Sequence, residues 1–340
     1  MKLATLTHVM QAHDTGRVWA RGTQAECRMQ PVRQDTLAVA RGCPESTARA
    51  NVYRMAAPSR PFVLRYFFVV AYAWTWAFNL VKILAQRGII AAPLPFIGLD
   101  IAAGLGPLVA ALVVTGYEAG GAGRRALLGQ LLRWRAPGRW YVSAILGPVV
   151  LTAGAFALWL ATGGSPPPAA ALAQWTLLPV YFVYILLVGG GVDEELGWRG
   201  YALPRLQERY GATIASLILG VAWAGWHIPA WFAPGSGQDA ISFPVFVVST
   251  IAAAILLTYL YNSSGGSLPV AILAHTVFDL CTTGPWSRAL FTLPPDQRGL
   301  DAFNLLTVIV GIVALSVVLT TDPRTLTGRR RPSRADAPGA

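Results

Sequence analysis

Residues 243–261 read FPVFVVSTIAAAILLTYLY, nineteen residues without a formal charge. A helix needs about 20 predominantly apolar residues to cross a hydrocarbon core about 30 Å thick, and this stretch supplies them on every face. Seven further windows share the character: Phe62–Leu84, Leu94–Thr115, Trp140–Ala161, Trp175–Leu196, Ala212–Phe232, Leu268–Thr283 and Phe303–Thr320. The expected fold is therefore all-α, a polytopic membrane protein built as a bundle of about eight transmembrane helices. Composition agrees. Of 340 residues 54% are apolar or aromatic and 13% are charged, with a mean hydropathy of +0.48. Average globular chains carry about a quarter charged residues, so much of this surface faces lipid, which excludes an ordinary soluble enzyme.

A net charge of +11 would suggest nucleic acid in a soluble chain. Here lysine occurs only at Lys2 and Lys82, and the arginines lie between apolar windows, so the charge is a topology signal and no nucleic-acid partner is expected. With eight spans, Arg60, the linker GRRALLGQLLRWRAPGRW (residues 123–140), Arg199, Arg205, Arg209 and the tail arginines 324, 329, 330, 331 and 334 share one face. The other face receives Lys82, Arg87, Asp239, Arg288, Asp296, Arg298 and Asp301. The positive-inside rule then puts both termini in the cytoplasm of a multi-pass plasma (inner) membrane protein. The linker, with leucines at helical spacing among Arg124, Arg125, Arg133, Arg135 and Arg139, is expected to be an interfacial amphipathic helix, and the arginine-rich segments to meet anionic lipid.

Residues 1–59 are polar and aperiodic and are expected to be a disordered extension, residues 60–322 the membrane domain, and residues 323–340 a basic disordered tail. No apolar run of signal-peptide type follows Met1, and Met55 stands just before the first span. A chain begun at Met55 is expected to be fully active. Cys27, Cys43 and Cys281 show no paired spacing and carry no chemistry.

Ionisable groups at membrane depth cost at least about 2.5–3.5 kcal/mol each, so they mark function. Three places hold them: GGGVDEELGWRG, with Asp193, Glu194, Glu195 and Arg199; WAGWHIPAWF, with His227; and ILAHTVFDL, with His275 and Asp279. Glu195 and Arg199 are four apart and should pair. Glu194, turned about 100° from Glu195, is free to face another neighbour and is the general-base candidate. Trp223 lies one turn before His227 and walls the site; Pro229 promises a kink. Asp279, one turn after His275, can orient that ring. One glutamate and two histidines from three helices suit the activation of water, so hydrolysis is the favoured reaction. A divalent metal such as zinc stays open as a cofactor, since His/His/Glu is also a zinc set, although the HExxH signature is absent.

These motifs carry a resemblance. Glu194-Glu195-Leu-Gly-Trp-Arg199 matches EExxxR, Trp223-Ala-Gly-Trp-His227 matches aromatic-xxx-His, and His275-Thr-Val-Phe-Asp279 matches a variant of HxxxN. The set resembles the CPBP family of intramembrane proteases, also called the CAAX protease and bacteriocin-processing or Abi family, with its Rce1-type endopeptidases. The likeness runs over spans two to seven and takes in Gly106-Pro107 and Arg133-Trp134-Arg135. It implies an eight-helix bundle with a cavity open to the cytoplasm and an endopeptidase acting on a membrane-associated protein or peptide. It further implies that Glu194 and His227 activate water, that His275 and position 279 stabilise the oxyanion, and that Glu195 and Arg199 support them. Two departures stand out: Asp279 replaces a frequent Asn and as a carboxylate cannot donate to an oxyanion, and Trp198 and Trp223 replace the more usual Phe.

Each feature also has a plainer reading. Glu195–Arg199 is equally an inward-facing ion pair of any bundle, a lone intramembrane histidine often only bridges helices, and Gly189-Gly190-Gly191 serves close packing. A non-proteolytic scaffold or immunity factor of the same fold is the alternative function. A proton-coupled transporter ranks lower, because no inverted repeat is visible. One difficulty concerns depth: His227 counts as deep in span five, while Glu194 lies near the end of span four unless that helix continues towards Leu206.

Overall fold

The structure, a computed structural model, describes residues 61–164, 173–236, 241–283 and 302–328, together with Gln238 and the pairs 28–29 and 40–41. In a first unit, residues 1–57, strands β1 (Arg28–Met29) and β2 (Ala40–Arg41) pair antiparallel. The expected disorder of the remainder of residues 1–59 lies outside the described residues, as do Asp239, Arg288, Asp296, Arg298, Asp301 and the tail 329–340.

The second unit is helical. Its elements are α1 (Pro61–Gln86), α2 (Phe96–Gly104), α3 (Gly106–Leu128), α4 (Gly138–Ala161), α5 (Leu178–Val188), α6 (Val192–Gly197), α7 (Leu203–Trp226), α8 (Phe243–Ser263), α9 (Leu268–Thr283) and α10 (Ala302–Thr320). Short 3-10 turns cover Gly129–Leu132, Ala173–Leu177 and Ile228–Phe232, and a π-helical turn, Trp198–Ala202, joins α6 to α7. Pro107, Pro179, Pro204 and Pro244 stand in the first turns of α3, α5, α7 and α8. An N–H there has no partner within the helix, so proline starts a helix at little cost.

Each of the eight expected windows is helical, and the structure divides them differently. Among the described residues five helical runs are long and apolar enough to cross a bilayer, six if a bent pair counts as one span. That pair is α2 with α3, bent by 42°, where the sequence promised one straight helix over 94–115. The bend falls at Leu105, before Gly106 and Pro107. The expected fourth and fifth spans lie in one run of 60 residues, Ala173–Phe232. A straight helix of that length would measure about 90 Å, three times the hydrocarbon thickness. Accordingly the run is broken, at Gly189–Gly191 and again at Gly211, where φ is 75°. The seventh window is a helix of 16 residues, α9.

The linker after Thr115 is also more articulated than expected. Helix α3 breaks at Ala119 and Gly120, and the arginine-bearing turn that follows folds back so that Arg124 Nε donates to the Leu112 carbonyl at 3.0 Å. At the other end of the unit, residues 321–328 form a hairpin of β3 (Thr321–Asp322) and β4 (Thr327–Gly328), although 323 onwards was expected to be disordered. The break at Gly211 explains this. It frees the N–H groups of Ala212 and Thr213, and the hairpin supplies acceptors: Ala212 donates to the Arg324 carbonyl at 2.8 Å and Thr213 to that of Pro323 at 3.0 Å.

Two apolar cores hold the unit together. One gathers Phe67, Leu196, Trp198, Tyr201, Leu219, Trp223, Trp226, Leu257 and Leu268 around α6 and α7. The other gathers Trp159, Ile255, Leu306, Val310 and Leu326 between α4, α8 and α10. Small residues let the backbones approach, as in membrane bundles generally. A Cβ on Gly197 would stand 2.5 Å from the Pro107 carbonyl oxygen, and one on Gly220 would stand 2.7 Å from Ile251 Cα.

Polar contacts tie several helix ends together. Arg205 pairs with Glu118 at 3.0 Å, Gln207 with Asn262, and Ser267 with the Arg133 carbonyl, so the linker, the start of α7 and the α8–α9 turn adjoin. The end of α1 meets a different group: Gln86 donates to Pro234 and Arg87 to Phe232.

Candidate active site

The site begins at the broken glycines. Gly190 adopts φ 125°, open to glycine alone without strain. Its N–H donates to Asp193 Oδ1 at 2.9 Å, which starts α6. A Cβ at Gly190 would stand 2.7 Å from Asp279 Oδ2 and 3.1 Å from His275 Nε2. The glycine run is therefore both a helix break and the close contact that lets α9 reach the glutamates. Gly190→Ala is expected to lower any activity of the site about a hundredfold by displacing His275, since a shift of about 1 Å suffices for that. Turnover per folded protein measures it, and an unchanged rate would contradict this placement.

Residues 193–197 are all buried. Glu194 Oε2 accepts two indole N–H bonds, from Trp198 at 3.1 Å and from Trp223 at 2.6 Å. The residue keeps 7% exposure, and its Oε1 takes no bond among the described residues. Glu195 faces elsewhere. Its Oε1 accepts from Arg199 Nη1 at 2.7 Å and from His275 Nδ1 at 2.7 Å, and both the Glu195 and Arg199 side chains have zero exposure. His275 Nε2 stands 3.3 Å from Asp279 Oδ2. A ring with a carboxylate at each nitrogen satisfies both only by donating from both.

Trp223 connects these groups. Its N–H holds Glu194, its face carries Arg199 with the guanidinium carbon 4.9 Å from the ring centroid, and its ring meets His275 edge-on at 5.0 Å. Its carbonyl lies 2.9 Å from His227 Nδ1. A carbonyl only accepts, so Nδ1 carries the proton and the neutral ring presents Nε2 as a base. His227 ends α7 as its C-cap residue, and Trp226 and Phe246 pack their rings against it. The kink anticipated at Pro229 is thus a helix end. The depth difficulty is resolved by the backbone, which stays helical from Val192 through the π-turn into α7, so Glu194 and the end of α7 approach through Trp223.

Five of the six expected residues, Glu194, Glu195, Arg199, His275 and Asp279, are joined directly or through one indole, and His227 joins through the Trp223 backbone. Sequence reasoning missed the Glu195–His275 bond, the role of Asp193 and the indole clamp. It also missed the brace outside the site, where Tyr201 and Arg205 both donate to Glu118 Oε2 and hold the π-turn to α3. Trp198, one turn after Glu194, is a local signal for half of the clamp; Trp223, His275 and the partners of Glu118 lie 29 to 87 positions from the groups they meet, and nothing local points to them.

The fit of a metal can be tested on the donors. Glu195 Oε1 is committed to a guanidinium and an imidazole and His275 to two carboxylates, which leaves Glu194 Oε1, His227 Nε2 and the buried Glu195 Oε2 as open donors. Among the described residues no three His, Cys, Asp or Glu side chains are grouped to hold an ion. As placed, the open donors do not assemble a zinc site.

Residues 174–281 match the family described as Rce1-like, the Type II CAAX prenyl endopeptidase Rce1-like group. The chain is 30% identical over 142 residues to CAAX prenyl protease 2 of Methanococcus maripaludis, a stretch covering 40% of this chain and 49% of that protein. It spans about half the length of the curated relative it matches. All six expected site residues lie inside the matched region.

Proposed function

We propose that this chain, which belongs to the CPBP/Rce1-like family through residues 174–281, is an intramembrane endopeptidase that hydrolyses a peptide bond of a membrane-associated protein or peptide with activated water. The observation that carries the reading is the division of labour between adjacent glutamates. Glu195 is locked into a buried ion network, whereas Glu194 is steered by two indoles at one oxygen and keeps the other for substrate water. A carboxylate so oriented takes a proton from water while His227 Nε2 accepts the second hydrogen bond. The water oxygen bonds to the carbonyl carbon, and the positive charge of the His275 ring, which donates to Glu195 and Asp279, offsets the oxyanion. The tetrahedral adduct then collapses: the C–N bond breaks and the proton passes from Glu194 to the departing amine. Asp279 holds His275 in place and does not donate to the oxyanion. Both termini face the cytoplasm of the plasma membrane in this reading, on the side where the arginines gather.

The test compares membrane-peptidome fragments from cells carrying the native chain with those from cells carrying Glu194→Gln at equal abundance. A set of fragments present only with the native chain is expected. Identical fragment sets would favour the scaffold reading.

A further inference from the structure

We infer that the α8–α9 turn and the linker before α4 form a binding site for the phosphate headgroup of an anionic phospholipid. An open cleft of about 360 Å³ lies there, lined by Arg133, Arg135, Ser264, Gly265, Gly266 and Ser267. It is separate from the glutamate and histidine cluster, shares no lining residue with it, and its occupancy does not depend on peptidase activity.

The local chain builds this cleft. After the 3-10 turn at Gly129–Leu132 the backbone is non-helical through Arg135, and both Arg133 and Arg135 line the cleft. The segment is pinned at both flanks, by Ser267 Oγ donating to the Arg133 carbonyl at 2.9 Å and by Tyr141 donating to the Trp134 carbonyl. Opposite the arginines, Gly265 and Gly266 both take φ 79°, which turns the chain into α9. The first turn of α9 adds the partial positive charge of its N–H groups. No carboxylate lines the cleft. Arg135 makes no hydrogen bond or ion pair among the described residues; its guanidinium rests 5.8 Å from the Trp134 ring centroid. The cleft thus offers the Arg135 guanidinium and a helix start to an anion, with the Arg133 side chain adding positive charge beside them, and phosphate is the anion that arginine forks match best.

The surroundings select a lipid over a free ion. Leu132 is 77% exposed and Trp134 62% exposed, flanking the arginines. Indole and leucine exposed beside arginine are what the headgroup region of a bilayer accommodates, the ring at headgroup level and the aliphatic chain below it. The face is also the one where the arginine-bearing helix ends adjoin.

Native mass spectrometry of the full chain, released from neutral detergent doped with equal phosphatidylglycerol and phosphatidylcholine, tests the site. The native protein is expected to retain phosphatidylglycerol preferentially. Arg135→Gln should reduce that preference about fivefold, and Arg133→Gln with Arg135→Gln more than tenfold. The tail variant Arg329→Gln/Arg330→Gln/Arg331→Gln should leave it unchanged, and millimolar inorganic phosphate should not displace the lipid. Arg135 is exposed and unbonded, so its single variant folds and reports even if the double variant does not. Preference unchanged in Arg135→Gln, or lost in the tail variant, overturns the site; displacement by inorganic phosphate overturns its assignment to lipid.

Discussion

Glu195→Ala is expected to lower the stability of the folded chain by about 3–5 kcal/mol, the usual cost of removing one partner of a fully buried ion pair. Glu195 Oε1 is the common acceptor of Arg199 Nη1 and His275 Nδ1, both at 2.7 Å and both away from solvent. Its loss strands a guanidinium with zero side-chain exposure and leaves one imidazole nitrogen without an acceptor. Arg199→Ala should cost less, because Glu195 keeps His275 as a partner. The order of the two variants is therefore the informative quantity. Denaturant unfolding in mixed micelles measures it. A Glu195→Ala cost below about 1 kcal/mol, the range of exposed pairs, would contradict the buried network.

Glu194→Gln carries the second large effect, a loss of about a thousandfold in turnover, within the range for a positioned general base. The substitution keeps the shape. A glutamine carbonyl can still accept the Trp198 and Trp223 N–H bonds now made to Glu194 Oε2, which turns the amide NH₂ towards water, where it donates and cannot take a proton. Folding and substrate binding should persist while chemistry stops. Turnover of a cleaved membrane peptide, followed with the purified variant in nanodiscs, checks this, and a rate within about threefold of native would remove Glu194 from the mechanism.

The contrast between these two glutamates shows what could be read in advance. Positions one helical turn apart signal their own pairing, so Glu195 with Arg199 and His275 with Asp279 were legible. The bounds of α9, Leu268–Thr283, were legible too, because apolar composition begins and ends there. The bend at Leu105 was not: Gly106-Pro107 opens a helix as readily as it kinks one, and hydropathy is blind to direction. The 60-residue run from Ala173 was divided before Ala212, where the Gly211 break falls, but its earlier break at Gly190 was missed because that depends on the room α9 leaves for a glycine. Trp223 could be placed on the face of His227 but not against Glu194, since a contact across 29 residues and a π-turn is set by tertiary packing. Likewise the Gly211 break becomes intelligible only with the hairpin at 321–328 that satisfies it.

That Glu194 and His227 act on one water is tested most directly by a double-mutant cycle in turnover. If both groups serve the same proton transfer, Glu194→Gln and His227→Ala each slow the reaction severely, and the double variant is little slower than the worse single one. Losses that multiply, or a His227→Ala enzyme as fast as native, would contradict a shared water.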